Sequence, residues 1–208
     1  MLVRHRDSEP VVDESAFIAP TAVLAGRVVV GPRARVMFGA VVDAEGSRIE
    51  VDECAVVCEN AVLRATAEGD ADRPVLVRDH VFVGPHATLL GCTIERCSYI
   101  ATGATVLHGA VVRAGGVVAV GAMVHARTVV PEEFFVPPNT VAIGDPIRVY
   151  GPDDHEAVAE AIRGIGFAKA AFGVDMQWED RVARYERATE VRSAEFGAHA
   201  EDRILPSS

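Results

Sequence analysis

The chain has 208 residues, of which half are hydrophobic but only 6% aromatic, and its formal net charge is −10. This length accommodates one domain with a substantial core plus an appendage. The acidic charge disfavours a phosphate-backbone partner, so we expect no nucleic-acid binding. No apolar run reaches the ~18 residues of a membrane span, and MLVRHRDSEP is not a secretion signal, so we expect no membrane partner. The four cysteines lack metal-binding spacing, which favours a reducing, cytoplasmic location.

Aliphatic residues recur at every sixth position along most of the chain. A helix repeats every 3.6 residues and an ordinary strand every 2, so neither explains this spacing. A six-residue unit with one inward aliphatic side chain, three units to a coil, is typical of a triangular β-helix. The sequence therefore predicts an all-β domain over residues 1–150, folded as a left-handed parallel β-helix of hexapeptide repeats. The repeating positions are Ile18, Leu24, Val30, Val36, Val42, then Val51, Val57, Leu63, then Ile94, Ile100, Val106, Val112, Val118, Val124 and Val130.

Six similar four-residue segments mark equivalent positions of successive coils, and their last residues are 18, 21, 26, 18 and 17 apart. The two long gaps indicate insertions, one within residues 44–50 and an acidic loop at residues 65–74 that leaves the coil. Equivalent positions stack about one strand spacing (~4.8 Å) apart. The sequence therefore predicts a column on one face, made of Ala25, Asp43, Arg64, Leu90, His108 and His125.

After VPPNTVAIGDPIRVY the pattern becomes helical, which predicts a C-terminal helical extension over residues 151–208. In the first helix Ile162 and Ile165 should pack against the β-helix, and a bend is expected at residues 164–173. The second helix should run from about residue 177 to 196, with Trp178, Val182 and Tyr185 on its apolar face. The tail, residues 201–208, should be frayed.

Several motifs resemble those of the γ-class carbonic anhydrase-like family, over residues 11–150. The helical tail is similar to that of longer members found in carnitine and phenylacetate operons. The resemblance implies a left-handed β-helix, a homotrimer, and active sites in clefts between subunits, where three histidines hold zinc. The motifs are Phe17-Ile-Ala-Pro-Thr-Ala, Arg48-Ile-Glu, Glu59-Asn60, Leu90-Gly-Cys-Thr-Ile, Val106-Leu-His-Gly-Ala-Val and Ile143-Gly-Asp-Pro.

Carried over residue by residue, the three zinc histidines fall on Arg64, Pro85 and Leu90. None of these side chains offers a lone pair to a metal. The family's R-G-D stretch reads Asp43-Ala44-Glu45, and the glutamine before D-N is Cys58. We therefore expect that the zinc ligands are lost, that no zinc or other cofactor is required, and that carbonic anhydrase activity is absent.

Our leading hypothesis is a metal-independent enzyme that acts on a small carboxylate or acyl substrate by acid/base chemistry. Arg64 would bind the anionic group through its planar fork, and His108 would act as general base near neutral pH. The predicted catalytic set is His108, Arg64, His125, His86, Asp43 and Glu45.

Three alternatives stay open. The protein could be a non-catalytic binding or scaffold protein, or an acyltransferase that uses an acyl-thioester, by analogy of fold. A displaced metal site on His108 and His125 is the third. His80 and His155 are interpreted as surface residues, and His5 and His199, near the chain ends, carry no prediction.

Overall fold

The computed structural model describes residues 1–68, 71–177 and 179–206. The helices are α1 His155–Ile165, α2 Phe167–Phe172 and α3 Arg181–Phe196, followed by a 3-10 helix Gly197–Glu201. The strands are β1 Leu2–Arg4, β2 Val11–Val12, β3 Phe17–Ile18, β4 Val23–Ala25, β5 Val28–Val30, β6 Arg35–Val36, β7 Val41–Asp43, β8 Ile49–Val51, β9 Val56–Val57, β10 Val62–Arg64, β11 Thr66–Glu68, β12 Ala71–Arg73, β13 Val75–Val77, β14 Phe82–Val83, β15 Thr88–Leu90, β16 Thr93–Ile94, β17 Tyr99–Ile100, β18 Thr105–Val106, β19 Val111–Val112, β20 Val117–Val118, β21 Met123–Val124, β22 Val129–Val130, β23 Phe135–Val136, β24 Val141–Ile143, β25 Arg148–Tyr150 and β26 Arg203–Ile204.

The strands form a parallel β-solenoid of about eight turns, which confirms the predicted β-helix with C-terminal helices. One face, called the long sheet below, contains β1, β4, β7, β10, β15, β18, β21 and β24 in parallel, with β25 and β26 antiparallel at its two ends. The other two faces are parallel sheets of seven strands each. Left-handedness of the coil stays a prediction.

The core is the inward row of aliphatic side chains that the six-residue period predicts. Leu24, Leu63, Ile100 and the other repeating positions are at most 1% exposed, except Ile18, which is half-buried near the N-terminal end. Burying each such side chain contributes about 1.5–3 kcal/mol. Coils are in close contact at the corners, where a Cβ on Gly84 would lie 2.8 Å from the backbone of the next coil.

The second insertion, predicted as a loop that leaves the coil, forms a β-hairpin with its own two-stranded sheet. Strands β11 and β12 pair antiparallel, with Thr66 opposite Arg73. Arg48 reaches the hairpin and forms an ion pair with Asp72 over 3.3 Å. Gly69 and Asp70 lie outside the described residues.

The C-terminal extension contains three helices where the sequence predicts two. The expected bend contains α2, bounded by Gly166 and Gly173, which both adopt left-handed φ values of 62° and 66°. Ile162 and Ile165 are half-buried and not fully buried, and Ile165 packs against the cluster that contains Leu107 and Ala126. In the ranges described, no helix combines the length and apolar character of a membrane crossing.

The predicted apolar face of the second helix is wrong. Val182 and Tyr185 are 74% and 52% exposed, whereas α3 buries Arg184 and Ala188. Trp178, placed on the same face by the sequence, lies outside the described residues. The weakly amphipathic sequence of α3 did not define which of its sides is buried.

The tail is ordered where the sequence predicts fraying. Strand β26 pairs antiparallel with β1, with Val3 opposite Ile204 and Arg4 opposite Arg203. The two ends of the chain therefore meet at the first turn of the solenoid. Ser207 and Ser208 lie outside the described residues.

Candidate functional site

The predicted column exists on the long sheet, with one correction. Asp43 pairs with Arg64, and Arg64 pairs with Leu90, as predicted. Thr105 aligns with Thr88 and with Met123, so Leu107 takes the position next to Leu90 and His125. His108 therefore lies one residue beyond the column, at the corner. The 17-residue spacing to His125 was the sign that these two histidines are not equivalent.

The C-terminal helices cover the part of the long sheet where His125 and the neighbouring corner residue His108 lie. The Phe167 ring of α2 lies 5.3 Å from the His125 ring and 6.4 Å from the His108 ring, between centroids. Leu107, Ala126 and Ala170 form a small apolar cluster at the same place. His108 and His125 are consequently 3% and 4% exposed.

This burial changes the chemistry of both imidazoles. Burial, reinforced by the charges of Arg192 and Arg73, lowers the pKa of His108 from 6.5 to about 4. Burial also lowers the pKa of His125. A neutral, weakly basic His108 under Phe167 is a poorer general base at pH 7 than the sequence-based hypothesis assumed.

His86 does not join the other predicted site residues. It is exposed and lies at the corner before β15, whereas Leu90 ends that strand at the opposite edge of the long sheet. Its backbone is left-handed, with a φ of 58°. Within one chain, His86 therefore has no part in the column.

Asp43, Glu45 and Arg64 do come together, at the edge of the long sheet near the first turns. Asp43 Oδ2 lies 3.5 Å from Arg64 Nε, and Asp43 Oδ1 accepts a hydrogen bond from the Glu45 backbone N–H over 3.1 Å. The Glu45 side chain is fully buried. These three residues are the part of the predicted site that the structure assembles.

Two histidines from opposite ends of the chain complete this group. His199 Nε2 lies 3.3 Å from Glu45 Oε1 and 3.6 Å from Asp43 Oδ2, and His5 Nε2 lies 3.9 Å from Glu45 Oε2. The two imidazole rings are stacked, 4.2 Å apart between centroids and inclined by 23°. We call His5, Asp43, Glu45, His199 and Asp202 the junction cluster.

Asp202 holds both imidazoles of the junction cluster. Its Oδ1 lies 2.6 Å from His5 Nδ1, and its Oδ2 lies 2.8 Å from His199 Nδ1. The Asp202 carboxylate contacts Nδ1 of both histidines, so Nε2 of both histidines faces Glu45. Asp202 is held beside the two histidines by the antiparallel pairing of β26 with β1 and by the preceding 3-10 helix.

The pKa values follow from this packing. Burial, together with the charge of Asp43, raises the pKa of Glu45. Burial opposes protonation of His199, but the hydrogen bond to Asp202 and the charge of Asp43 outweigh it and raise its pKa. The pKa of Asp202 is lowered, because its contacts with His199 and His5 outweigh burial.

No protein-family profile matches the chain. Over 116 residues it is 33% identical to γ carbonic anhydrase 1, mitochondrial, of Arabidopsis thaliana, a match that covers 52% of this chain and 42% of the relative. Over 112 residues it is 37% identical to γ carbonic anhydrase 3, mitochondrial, of the same plant, covering 50% and 43%. The matched part is thus less than half the length of these relatives.

The chain resembles the γ-carbonic anhydrases. The fold agrees with a crystal structure of a hexapeptide transferase family protein from Anaplasma phagocytophilum, with a TM-score of 0.52 and 21% identity over 95% of this chain and 97% of that one. At 21% identity, the likeness to the Anaplasma protein concerns the fold alone.

The positions that the γ-carbonic anhydrase resemblance assigns to zinc do not suit a metal in this structure. Arg64 is a cation and its Nε faces Asp43. Leu90 packs on the apolar cluster of Leu107 and Ala126. Proline at position 85 has no side-chain donor. No step of the chemistry is therefore assigned to zinc at these three positions.

Sequence reasoning missed His5, His199 and Asp202 of this γ-carbonic-anhydrase-like chain. His5 precedes the first repeat, and the other two lie in the tail, so no six-residue period connects them. The only available signal was the polar tail itself, with His199 three residues before Asp202. That spacing has meaning only once the tail is known to pair with β1.

Proposed function

We propose that this γ-carbonic-anhydrase-like protein is an enzyme that acts on a small carboxylate or acyl substrate beside the junction cluster. It does so without zinc at positions 64, 85 and 90. The observation that carries the proposal is the placement of Arg64 next to Asp43, whose carboxylate also contacts His199 of the junction cluster. A guanidinium group beside carboxylates and imidazoles combines anion binding with proton transfer.

Arg64 is the proposed anion-binding group. Its side chain is 33% exposed, and no described residue hydrogen-bonds its Nε. The guanidinium carbon lies 5.0 Å from the centroid of the Phe196 ring, which supports one face of the group. A planar guanidinium held in this way is suited to bidentate contact with a carboxylate.

Asp43 is the proposed proton-transfer group. Its carboxylate contacts Arg64 and His199 at 3.5 and 3.6 Å, so it is next to any anion bound at Arg64. This assignment replaces His108, which is buried under Phe167. A positioned general acid or base contributes typically 10²–10⁴-fold in rate.

Ligand binding tests this proposal first. Small carboxylates from formate to citrate, and acetyl-coenzyme A as the acyl-thioester probe, are titrated and followed by ligand-observed NMR. We expect Arg64→Ala to weaken binding of the preferred carboxylate at least tenfold and Arg64→Lys to recover part of it. The matched control is Arg96→Ala, which removes an arginine that is 65% exposed and pairs with Asp79.

Turnover of the identified ligand then separates catalysis from binding. We expect Asp43→Asn to reduce the rate at least 100-fold while the affinity changes by less than fivefold. Equal binding by the wild type and Arg64→Ala would contradict the proposal. Undiminished turnover in Asp43→Asn would also contradict it, and binding without any turnover would leave the non-catalytic alternative.

We also propose that the protein is a homotrimer and that it does not hydrate CO₂. Homotrimers are what the resemblance implies, and Arg64, Pro85 and Leu90 offer no zinc ligand. CO₂ hydration measured by stopped flow should not exceed the buffer rate.

A further inference from the structure

We propose that His5, Glu45 and His199 bind one divalent transition-metal ion. This inference goes beyond the proposed function, which requires no metal, and it departs from the sequence-based expectation of a protein without cofactors. The three residues differ from positions 64, 85 and 90, and all come from one chain.

The donor atoms of these residues converge. One nitrogen of each histidine and one oxygen of Glu45 all lie within 4.8 Å of one another. Ligand atoms around a first-row ion are about 3 Å apart, since each lies about 2.0–2.2 Å from the metal. The His199–Glu45 contact of 3.3 Å is already near that value, and the His5–Glu45 contact of 3.9 Å is within a small side-chain adjustment.

Asp202 orients the two histidines as metal ligands are oriented in proteins. Each Nδ1–H donates to one oxygen of its carboxylate, which leaves each Nε2 lone pair directed toward Glu45. Metal-bound histidines almost always donate their other N–H to a carboxylate or carbonyl in this way. Two imidazoles and one carboxylate form a donor set that suits Zn²⁺, Co²⁺ or Fe²⁺.

Glu45 provides an independent indication of a missing partner. Its side chain is fully buried, yet Oε2 has no hydrogen-bond partner among the residues described. A buried carboxylate oxygen without a partner is costly. A cation between Glu45 and the two Nε2 atoms would satisfy it.

Two contacts compete with the ion. His199 Nε2 lies 3.3 Å from Glu45 Oε1, so a proton shared between these atoms must leave before a metal binds. Arg6 Nε donates a hydrogen bond to His5 Nε2 over 3.1 Å, so the guanidinium occupies the lone pair that the metal requires. Arg6 is exposed and lines, with Asp202, an open cavity of about 830 Å³. Metal binding would require the Arg6 side chain to turn into this cavity, which breaks its hydrogen bonds to His5 Nε2 and to the Glu195 carbonyl oxygen. Removal of Arg6 should therefore strengthen metal binding.

The test uses the full-length protein after chelator treatment, titrated with Co²⁺ alone and then with Zn²⁺. We expect one Co²⁺ per chain by calorimetry, visible absorption bands typical of nitrogen and oxygen ligands, and a higher melting temperature with metal. Glu45→Gln and His199→Asn should each weaken binding at least tenfold. Asp202→Asn should weaken it 10- to 100-fold, and Arg6→Ala should tighten it. The matched control, His155→Asn, removes an exposed histidine of α1 and should bind as the wild type does.

Several results would overturn the inference. These are the absence of saturable Co²⁺ binding in the wild type, and equal affinity in the wild type and in Glu45→Gln. Loss of binding in His125→Asn, with His199→Asn unaffected, would place the ion at the other histidines. If His199→Asn does not fold, the near-isosteric Glu45→Gln decides, with circular dichroism to check its fold. Arg64→Ala should retain Co²⁺ binding, so failure of the proposed function and failure of this inference are distinguishable.

Discussion

Acid should destabilise the protein through His108, because the folded structure resists protonation of this residue. Phe167 covers its ring, and Arg192 of α3 and Arg73 of the hairpin add positive charge. The pKa of His108 falls from 6.5 to about 4 as a result. Between these two values the unfolded chain binds a proton that the folded chain does not. The free energy of unfolding is therefore unaffected by His108 above pH 6.5 and decreases as the pH falls toward 4.

The magnitude follows from the two pKa values. Each difference of one in pKa corresponds to ~1.4 kcal/mol, so the full loss from His108 is about 3 kcal/mol. At pH 5 the loss is about 2 kcal/mol, because protonation of the unfolded chain is then nearly complete and the folded chain is still mostly neutral. This is a large part of the stability of an ordinary domain.

The assay is urea unfolding of the wild type and His108→Asn at pH 7 and pH 5. Asparagine has no protonation step in this range, so the variant lacks the His108 contribution to acid sensitivity. Between pH 7 and pH 5, we expect the free energy of unfolding of the wild type to fall by about 2 kcal/mol more than that of His108→Asn. His86→Asn is the matched control, because His86 is exposed and asparagine tolerates its left-handed backbone.

Parallel pH profiles for the wild type and His108→Asn would refute the reasoning. They would mean that His108 is protonated as readily in the folded chain as in the unfolded chain, and hence that Phe167 and α2 do not cover it. If His86→Asn reduced the acid sensitivity of the wild type as much as His108→Asn does, the effect would not be specific to a buried histidine.

The remaining predictions concern packing and assembly. Truncation after Pro152 should expose the long sheet around Leu107 and cause aggregation, and a soluble, equally stable fragment by light scattering and thermal melting would contradict this. Leu63→Ala should cost about 2–5 kcal/mol in urea unfolding, whereas Val182→Ala on the exposed face of α3 should stay within about 0.5 kcal/mol. Light scattering should give three times the mass of the chain, and a monomer would contradict the proposed trimer.

The solenoid was predictable because every turn repeats one physical requirement. One inward aliphatic residue per six, as in Leu24 to Val42 and Ile94 to Val130, determines both the period and the core. The same repetition placed Asp43, Arg64 and Leu90 in one column. The prediction was wrong for His108, because the 17 residues between His108 and His125 were interpreted as a full coil of 18. Leu107 is the residue in register with His125.

The junction cluster was not predictable because contacts between chain ends have no period. His5 and His199 come together through the pairing of β1 with β26, and the tail composition favoured a frayed end. The weak amphipathicity of α3 likewise left undefined which side of the helix is buried, so Val182 was assigned to the wrong face. Asp43 was identified because the column and the resemblance both included it, and Glu45 because it belongs to the stretch that the resemblance aligns with R-G-D.

Anomalous diffraction from crystals grown with Zn²⁺ tests the central claim most directly, namely that the cation site lies at the junction cluster and not at the family's zinc positions. The structure predicts one peak per chain between His5 Nε2, His199 Nε2 and Glu45, with the Arg6 side chain turned away. A peak beside Arg64, Pro85 or Leu90 of any subunit, or crystals without a peak at the junction cluster, would contradict the account.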